Sequence, residues 1–323
     1  MMAGWDALAS AGQRTSARPL PWLVELSAAG FPAEAARETL ARVFGYGGIR
    51  PGTSPLTPSG CPLEFTFGSG SRALAYTLEP AGAHAPIEAK WRAVAEITGN
   101  PAIREGDDGQ LAMLSAQEGQ RYGCWLGVRH GAESTEFKIY QEVTPAAADL
   151  ARAHLRRALP RVSCAATLEP VLIGWALPGG PFEYYSRVPR PRPDALHRLL
   201  DVTGATRQLP LVIGCLAELA GVSRSAVLKH VRLGVSYRVS SGAGAAVTLF
   251  GHARQLCPDE CELRRRLLAL ARALCVDFTG YGLATGWLER DEPPLPVHGM
   301  VGLTMGRDER IDLSVGVCPP WAG

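Results

Sequence analysis

The chain has no apolar run able to cross a bilayer: its longest uncharged apolar stretch, Leu209 to Ala217, is far short of the ~20 residues a span requires. It has no surplus of one charge either, since 33 Lys and Arg against 31 Asp and Glu leave +2. That balance argues against a surface coated for nucleic acid or for an acidic membrane, while leaving room for a local basic pocket. Around Asp6 and Arg14 there is no apolar segment of signal-peptide type, so a reducing cytoplasm is the expected setting. The eight cysteines are then expected as free thiols. Only Cys257 and Cys261 lie close together, with His252 just before them. Zinc needs four ligands at suitable spacing and no second pair exists, so no metal site is expected.

What the chain does have is 46% hydrophobic residues, enough for a sizeable core, and 36 Gly with 25 Pro, which imply many turns between short elements. Period-2 segments come in pairs, each split by a turn. The pairs are Pro62–Phe67 with Arg72–Leu78, Cys124–Arg129 with Phe137–Val143, Val171–Ala176 with Phe182–Val188, Leu233–Val239 with Ala246–Phe250, and Val297–Thr304 with Ile311–Val317. Helical patterns separate them at Pro86–Thr98, Pro145–Leu159, Asp194–Val202, Leu211–Leu219 and Asp259–Cys275. This is a repeat of pattern and not of motif. Ten antiparallel strands with helices on one face predict an α/β fold: a barrel of five β-hairpins with the helices packed outside. A ten-stranded barrel is wider than the side-chain-filled eight-stranded kind. One domain is expected over residues 19–318, with a mobile N-terminal tail at 1–18, a mobile region at 106–109 and a short tail at 319–323.

The strand faces separate cleanly. Phe137, Ile139 and Val143 oppose Lys138, Tyr140 and Glu142; Leu63, Phe65 and Phe67 oppose Glu64 and Thr66; Ile311, Leu313, Val315 and Val317 oppose Asp312, Ser314 and Gly316. With helices covering the apolar face, the polar face lines a cavity. Arg72, Lys138, Arg187 and Arg238 are expected on that inner face from four different strands. Tyr140 and Tyr185 share it with Lys138 and Arg187, and Trp125 is placed there opposite Leu126 and Val128.

The run Ser59-Gly60-Cys61-Pro62-Leu63-Glu64-Phe65-Thr66-Phe67, followed by Arg72 and Glu79-Pro80, resembles the opening hairpin of the ABBA-fold aromatic prenyltransferases. The nearest likeness is to the dimethylallyl-tryptophan-synthase type and the cyanobactin peptide prenyltransferases. Lys138-Ile139-Tyr140 resembles their Lys-x-Tyr signature, and Gly234-Val235-Ser236 with Ala246–Phe250 is similar to the fourth hairpin of the peptide-modifying branch. The resemblance implies transfer of an allylic group from a prenyl diphosphate to an electron-rich acceptor inside the barrel. It implies Glu64 as the carboxylate that orients the acceptor and draws off its proton. The released pyrophosphate calls for cations, here Arg72, Lys138, Arg187 and Arg238. The allylic cation calls for aromatic faces, here Tyr140 and Tyr185, with Trp125 and Phe250 as an acceptor wall. Phe250 stands where a Tyr is usual, and the tenth strand offers no aromatic. The metal-clamped, all-helical isoprenoid enzymes are not indicated, because Asp107-Asp108 is followed by Gly-Gln-Leu. No cofactor is required by the sequence; Mg2+ would arrive on the diphosphate.

The expected partners are therefore a prenyl diphosphate and an aromatic small molecule or peptide. Small inward residues (Gly127, Gly234, Ser236, Ser314, Gly316) favour a nucleophilic side chain in a modified or cyclic peptide and a C5 donor, with C10 accommodated by the same space. Free tryptophan or another small aromatic is the alternative acceptor. Leu216–Val231 also reads as a helix-turn-helix presenting Arg224, Ser225 and Lys229 to DNA, which makes a regulator the rival class.

Overall fold

The computed structural model describes residues 21–44, 54–100, 103, 119–162, 167–189, 191–240, 244–290, 292–306 and 310–319. The tail expected at 1–18, the 106–109 region and the end of the C-terminal tail lie outside them. Ten strands close into one antiparallel barrel: β1 (Leu63–Gly68), β2 (Leu74–Leu78), β3 (Cys124–His130), β4 (Thr135–Glu142), β5 (Glu169–Leu177), β6 (Phe182–Val188), β7 (Leu233–Ser240), β8 (Gly244–His252), β9 (His298–Met305) and β10 (Ile311–Val317). Each strand pairs with its sequence neighbours, and β1 pairs with β10 to complete the ring. Closure leaves no unpaired sheet edge.

Strand alternation gives the barrel an apolar outer face. Leu63, Phe65, Phe67, Leu126, Val128, Ile139, Val235, Val247, Leu249, Leu313 and Val315 are all nearly inaccessible to solvent and face outward under the helices. Polar atoms on that outer face find partners: the Tyr76 hydroxyl meets His130 Nε2 at 2.9 Å, and the Tyr237 hydroxyl donates to the Leu199 carbonyl at 3.1 Å. A buried ion pair, Lys90 Nζ to Glu79 Oε1 at 2.8 Å, ties the end of β2 to the helix that follows, and the same ammonium donates to the Tyr122 carbonyl.

The helices lie outside as expected. They are α1 (Pro21–Ala28), α2 (Ala33–Phe44), α3 (Ile87–Thr98), α4 (Ala148–Ala158), α5 (Pro193–Asp201), α6 (Leu209–Ala220), α7 (Val227–His230), α8 (Ala253–Leu256), α9 (Glu260–Ala273) and α10 (Thr279–Ala284). The first two were not legible as a pattern; α1 matters because Trp22 stands edge-on to Phe65 at 4.6 Å and seals the outer face of β1. The longest, α9, starts at Asp259, whose carboxylate accepts from the Glu262 amide at 2.8 Å, and buries Leu263, Leu267 and Leu270. Among the described residues, no helix is long and apolar enough to cross a membrane.

The expected helix-turn-helix does not form. After α6 the chain turns at Gly221, but α7 has only four residues, about 6 Å of helix. That is too short to read a major groove. Arg224, offered as a base-reading side chain, instead lies over Gly214 of α6.

Candidate active site in the barrel lumen

The inner faces enclose a cavity of about 1760 Å³. Small-molecule pockets run to roughly 1,000 Å³, so the lumen has space for a donor and a sizeable acceptor together. Gly127, Gly174, Gly234, Gly302 and Gly316 all line it or stand in contact with its side chains.

Glu64 stands on β1 between Leu63 and Phe65, and strand alternation alone sends it inward. Its carboxylate lies across β9 and β10 in a hollow made by two glycines. A Cβ on Gly299 would stand 1.8 Å from Oε2, and one on Gly316 would stand 2.2 Å from Oε1. The hollow depends on a bulge: pairing runs Val315 with Val301 but Val317 with His298, so β9 carries one extra residue opposite Gly316. His298, next to Gly299, is held in the outer layer by Tyr281, whose hydroxyl meets His298 Nε2 at 2.8 Å. Burial pushes the Glu64 carboxyl up to about 8, and among the described residues no cation or hydrogen-bond donor offsets it. With its pKa raised toward neutrality, the ionised fraction of this carboxyl is a stronger base than an ordinary carboxylate and accepts a proton as pH approaches 8.

The second centre surrounds Lys138 on β4. Its ammonium is 4.8 Å from the Tyr140 ring centroid and 5.3 Å from that of Tyr185, and it donates to the Tyr185 hydroxyl at 3.1 Å. The two tyrosine rings meet edge-on at 5.8 Å, and Phe250 of β8 continues the aromatic wall 6.1 Å from Tyr185. Glycines again make the room: a Cβ on Gly174 would stand 2.6 Å from Lys138 Cε, one on Gly127 2.8 Å from the Tyr140 ring, and one on Gly234 2.2 Å from the Phe250 ring. Glu183 of β6 forms an ion pair with Lys138, and its other oxygen accepts from Ser236 Oγ at 2.6 Å. Arg238 of β7 is the register partner of Glu183.

The remaining expected residues fall into two groups. Trp125 faces the lumen and stacks on Tyr122 at 4.2 Å with the rings nearly parallel, so it forms a wall. Arg187 also lines the lumen, but four residues beyond Glu183 on β6, about 13 Å further along the strand. There it faces Tyr122 and His252, whose imidazole is held below its usual range by burial and then by Arg187. Arg232 and Arg254 line the same mouth. Arg187 thus follows Tyr185 by two residues on the inward face, on the side of the lumen toward Tyr122 and His252.

Arg72 is not in the lumen. It lies just before β2 and in phase with Leu74, Tyr76 and Leu78, all of which point outward. Its guanidinium is exposed and donates to the Ala29 carbonyl at 2.9 Å, beside α1. The physical reason is parity: counting back from Leu74, position 72 shares the outward face. The inward residues of β2 are Ala75 and Thr77. Two lumen positions were not singled out from the sequence. Glu183 carries a signal that could have found it, because it shares a period-2 face with Tyr185 and Arg187. Gly299 carries none, since only the bulge turns it toward Glu64.

Among the described residues, no group of three His, Cys, Asp or Glu is placed to hold a metal ion. No protein-family model and no curated protein matches the chain by sequence. Solved structures do match in fold. The 6-dimethylallyltryptophan synthase from Micromonospora olivasterospora, in complex with DMASPP and Trp, superposes with a TM-score of 0.74 at 18% identity over 93% of this chain and 95% of that one. The 5-dimethylallyl tryptophan synthase from Streptomyces coelicolor gives 0.74 at 17% identity over 93% of each chain. AnaPT from Neosartorya fischeri gives 0.63 at 15% identity over 89% of this chain and 86% of that one. The chain therefore has the closed ten-stranded barrel of the ABBA-fold aromatic prenyltransferases, helices outside.

Proposed function

We propose that this protein transfers an allylic group from a prenyl diphosphate to an aromatic or other nucleophilic acceptor inside the barrel. The observation that carries the reading is the pairing of two unlike centres in one lumen. One is a partly buried ammonium set between tyrosine faces, at Lys138, Tyr140 and Tyr185. The other is a carboxyl at Glu64 that burial makes hard to ionise. Lys138 and Arg238 gather phosphate oxygens and stabilise the departing pyrophosphate. The tyrosine faces and Phe250 hold the allylic cation and exclude water. Glu64 accepts the proton released as the new bond forms. Arg187 lies beside Tyr122, which with Trp125 forms the acceptor wall.

For the acceptor, the volume of about 1760 Å³ favours a bulky nucleophile such as a side chain in a modified or cyclic peptide, with a C5 donor and C10 as the longer option. Free tryptophan is the second reading, favoured by the barrel's likeness to two enzymes solved in complex with Trp. A mass-spectrometric screen of the purified protein tests both. It crosses C5, C10 and C15 diphosphates with tryptophan, tyrosine and a set of cyclic peptides. Prenylated peptide is the expected product; adducts on free tryptophan alone would overturn the peptide preference, and no adduct anywhere would overturn the reaction class.

A further inference from the structure

Glu183 is a lumen carboxylate with no task in the chemistry above: it sits inside the barrel on β6 and already holds Lys138 in an ion pair. We infer that Glu183 holds Lys138 in reserve, surrenders it to the incoming diphosphate, and takes up a proton from solvent as it does so. The inference rests on the reading that the lumen binds a prenyl diphosphate.

The groups facing Glu183 are few. From β4 come Lys138 and Tyr140, from its own strand Tyr185, and from β7 Ser236 and its register partner Arg238. From β5 the register neighbour is Gly174, which presents no titratable group and leaves space for the Lys138 stem. An unpaired ammonium in this cavity would be costly, so the empty lumen needs a counter-anion, and Glu183 supplies it. In this state Lys138 keeps the Glu183 carboxyl below its ordinary range, against the opposing pull of burial. A phosphate oxygen arriving on Lys138 removes that support and adds a second anion beside the carboxylate. Burial then governs, and the group becomes a neutral acid. The balance is one proton from solvent onto a Glu183 oxygen for each diphosphate bound. The neutral acid still bonds to the Ser236 hydroxyl, because that hydroxyl can donate or accept.

Calorimetric titration of the full chain with dimethylallyl thiolodiphosphate, in buffers of different ionisation enthalpy at one slightly alkaline pH, counts the protons. The expected result is uptake of about one proton more in the native protein than in Glu183→Gln, and roughly tenfold tighter binding by Glu183→Gln at that pH. Glu183→Asp, which keeps the charge, is expected to retain both the uptake and the weaker binding. Equal uptake by the native protein and Glu183→Gln, or binding by Glu183→Gln no tighter than native, would overturn the inference. Absence of binding by every variant and by the native protein would instead overturn the diphosphate reading beneath it.

Discussion

Glu64 and Gly316 are adjacent across the β1–β10 seam, so close that a single added carbon on Gly316 would stand 2.2 Å from the Glu64 carboxylate. The obstructed atoms are the end of a flexible side chain, so the clash would be relieved by turning Glu64 away and not by moving a strand. Gly316→Ala should therefore fold with a melting temperature within a few degrees of native while losing at least tenfold in kcat. Gly299→Ala should behave in the same way. Circular dichroism melts alongside initial rates check both; equal rates in the variants would show that the placement of Glu64 is not used.

The pH behaviour of Glu64 follows from burial. Its carboxyl is raised to about 8, so between the usual carboxylate range and about 8 the folded chain holds a proton that the unfolded chain releases. Stability from this group is full at low pH and is lost as pH rises toward 8, at a slope of up to ~1.4 kcal/mol per pH unit. Glu64→Gln removes that slope, so denaturant titrations from pH 5 to pH 8 should show the variant gaining on the native protein as pH rises. In turnover, Glu64→Gln should spare donor binding and slow bond formation, and the native rate should climb as pH approaches 8.

Lys138 and Arg72 separate the lumen from the outer layer. Lys138→Ala should weaken donor binding by at least tenfold, losing the ammonium that two tyrosines flank. Arg72→Ala loses one exposed hydrogen bond to Ala29, worth about 1 kcal/mol, and should leave donor affinity unchanged. Parallel titrations with the unreactive thiolodiphosphate decide the point. Loss of binding in Arg72→Ala would mean that this guanidinium enters the lumen after all.

Phe250 closes the aromatic wall over Gly234. Phe250→Ala should open the lumen beside Tyr185 and raise the use of a C10 over a C5 donor several-fold. Competition between the two diphosphates, read as the ratio of products, measures it. An unchanged ratio would place the donor tail elsewhere.

Much of this site can be read along single strands. Glu64, Lys138, Tyr140, Tyr185 and Arg238 all point inward because each lies on the polar face of an alternating strand with buried neighbours. Arg72 was misplaced because it precedes β2, where the period must be counted from Leu74 and not from the residue's charge. The helix-turn-helix pattern of 216–231 was misleading for a related reason: its apolar spacing is what any two helical turns need to pack on a barrel. Only four residues of the second segment are helical.

Composition and period alone determined the class of this molecule: ten alternating strands, helices covering one face, and a polar interior with a carboxyl, an ammonium and tyrosines on it. That much is local, because side-chain direction in a strand repeats every two residues whatever the strand pairs with. Tertiary structure decided what those side chains meet. The bulge opposite Gly316 sets Glu64 in a glycine hollow, and the β5 and β6 registers bring Glu183 onto Lys138. These contacts join residues more than forty positions apart. Register and closure of the barrel create them, and no period within one strand encodes them.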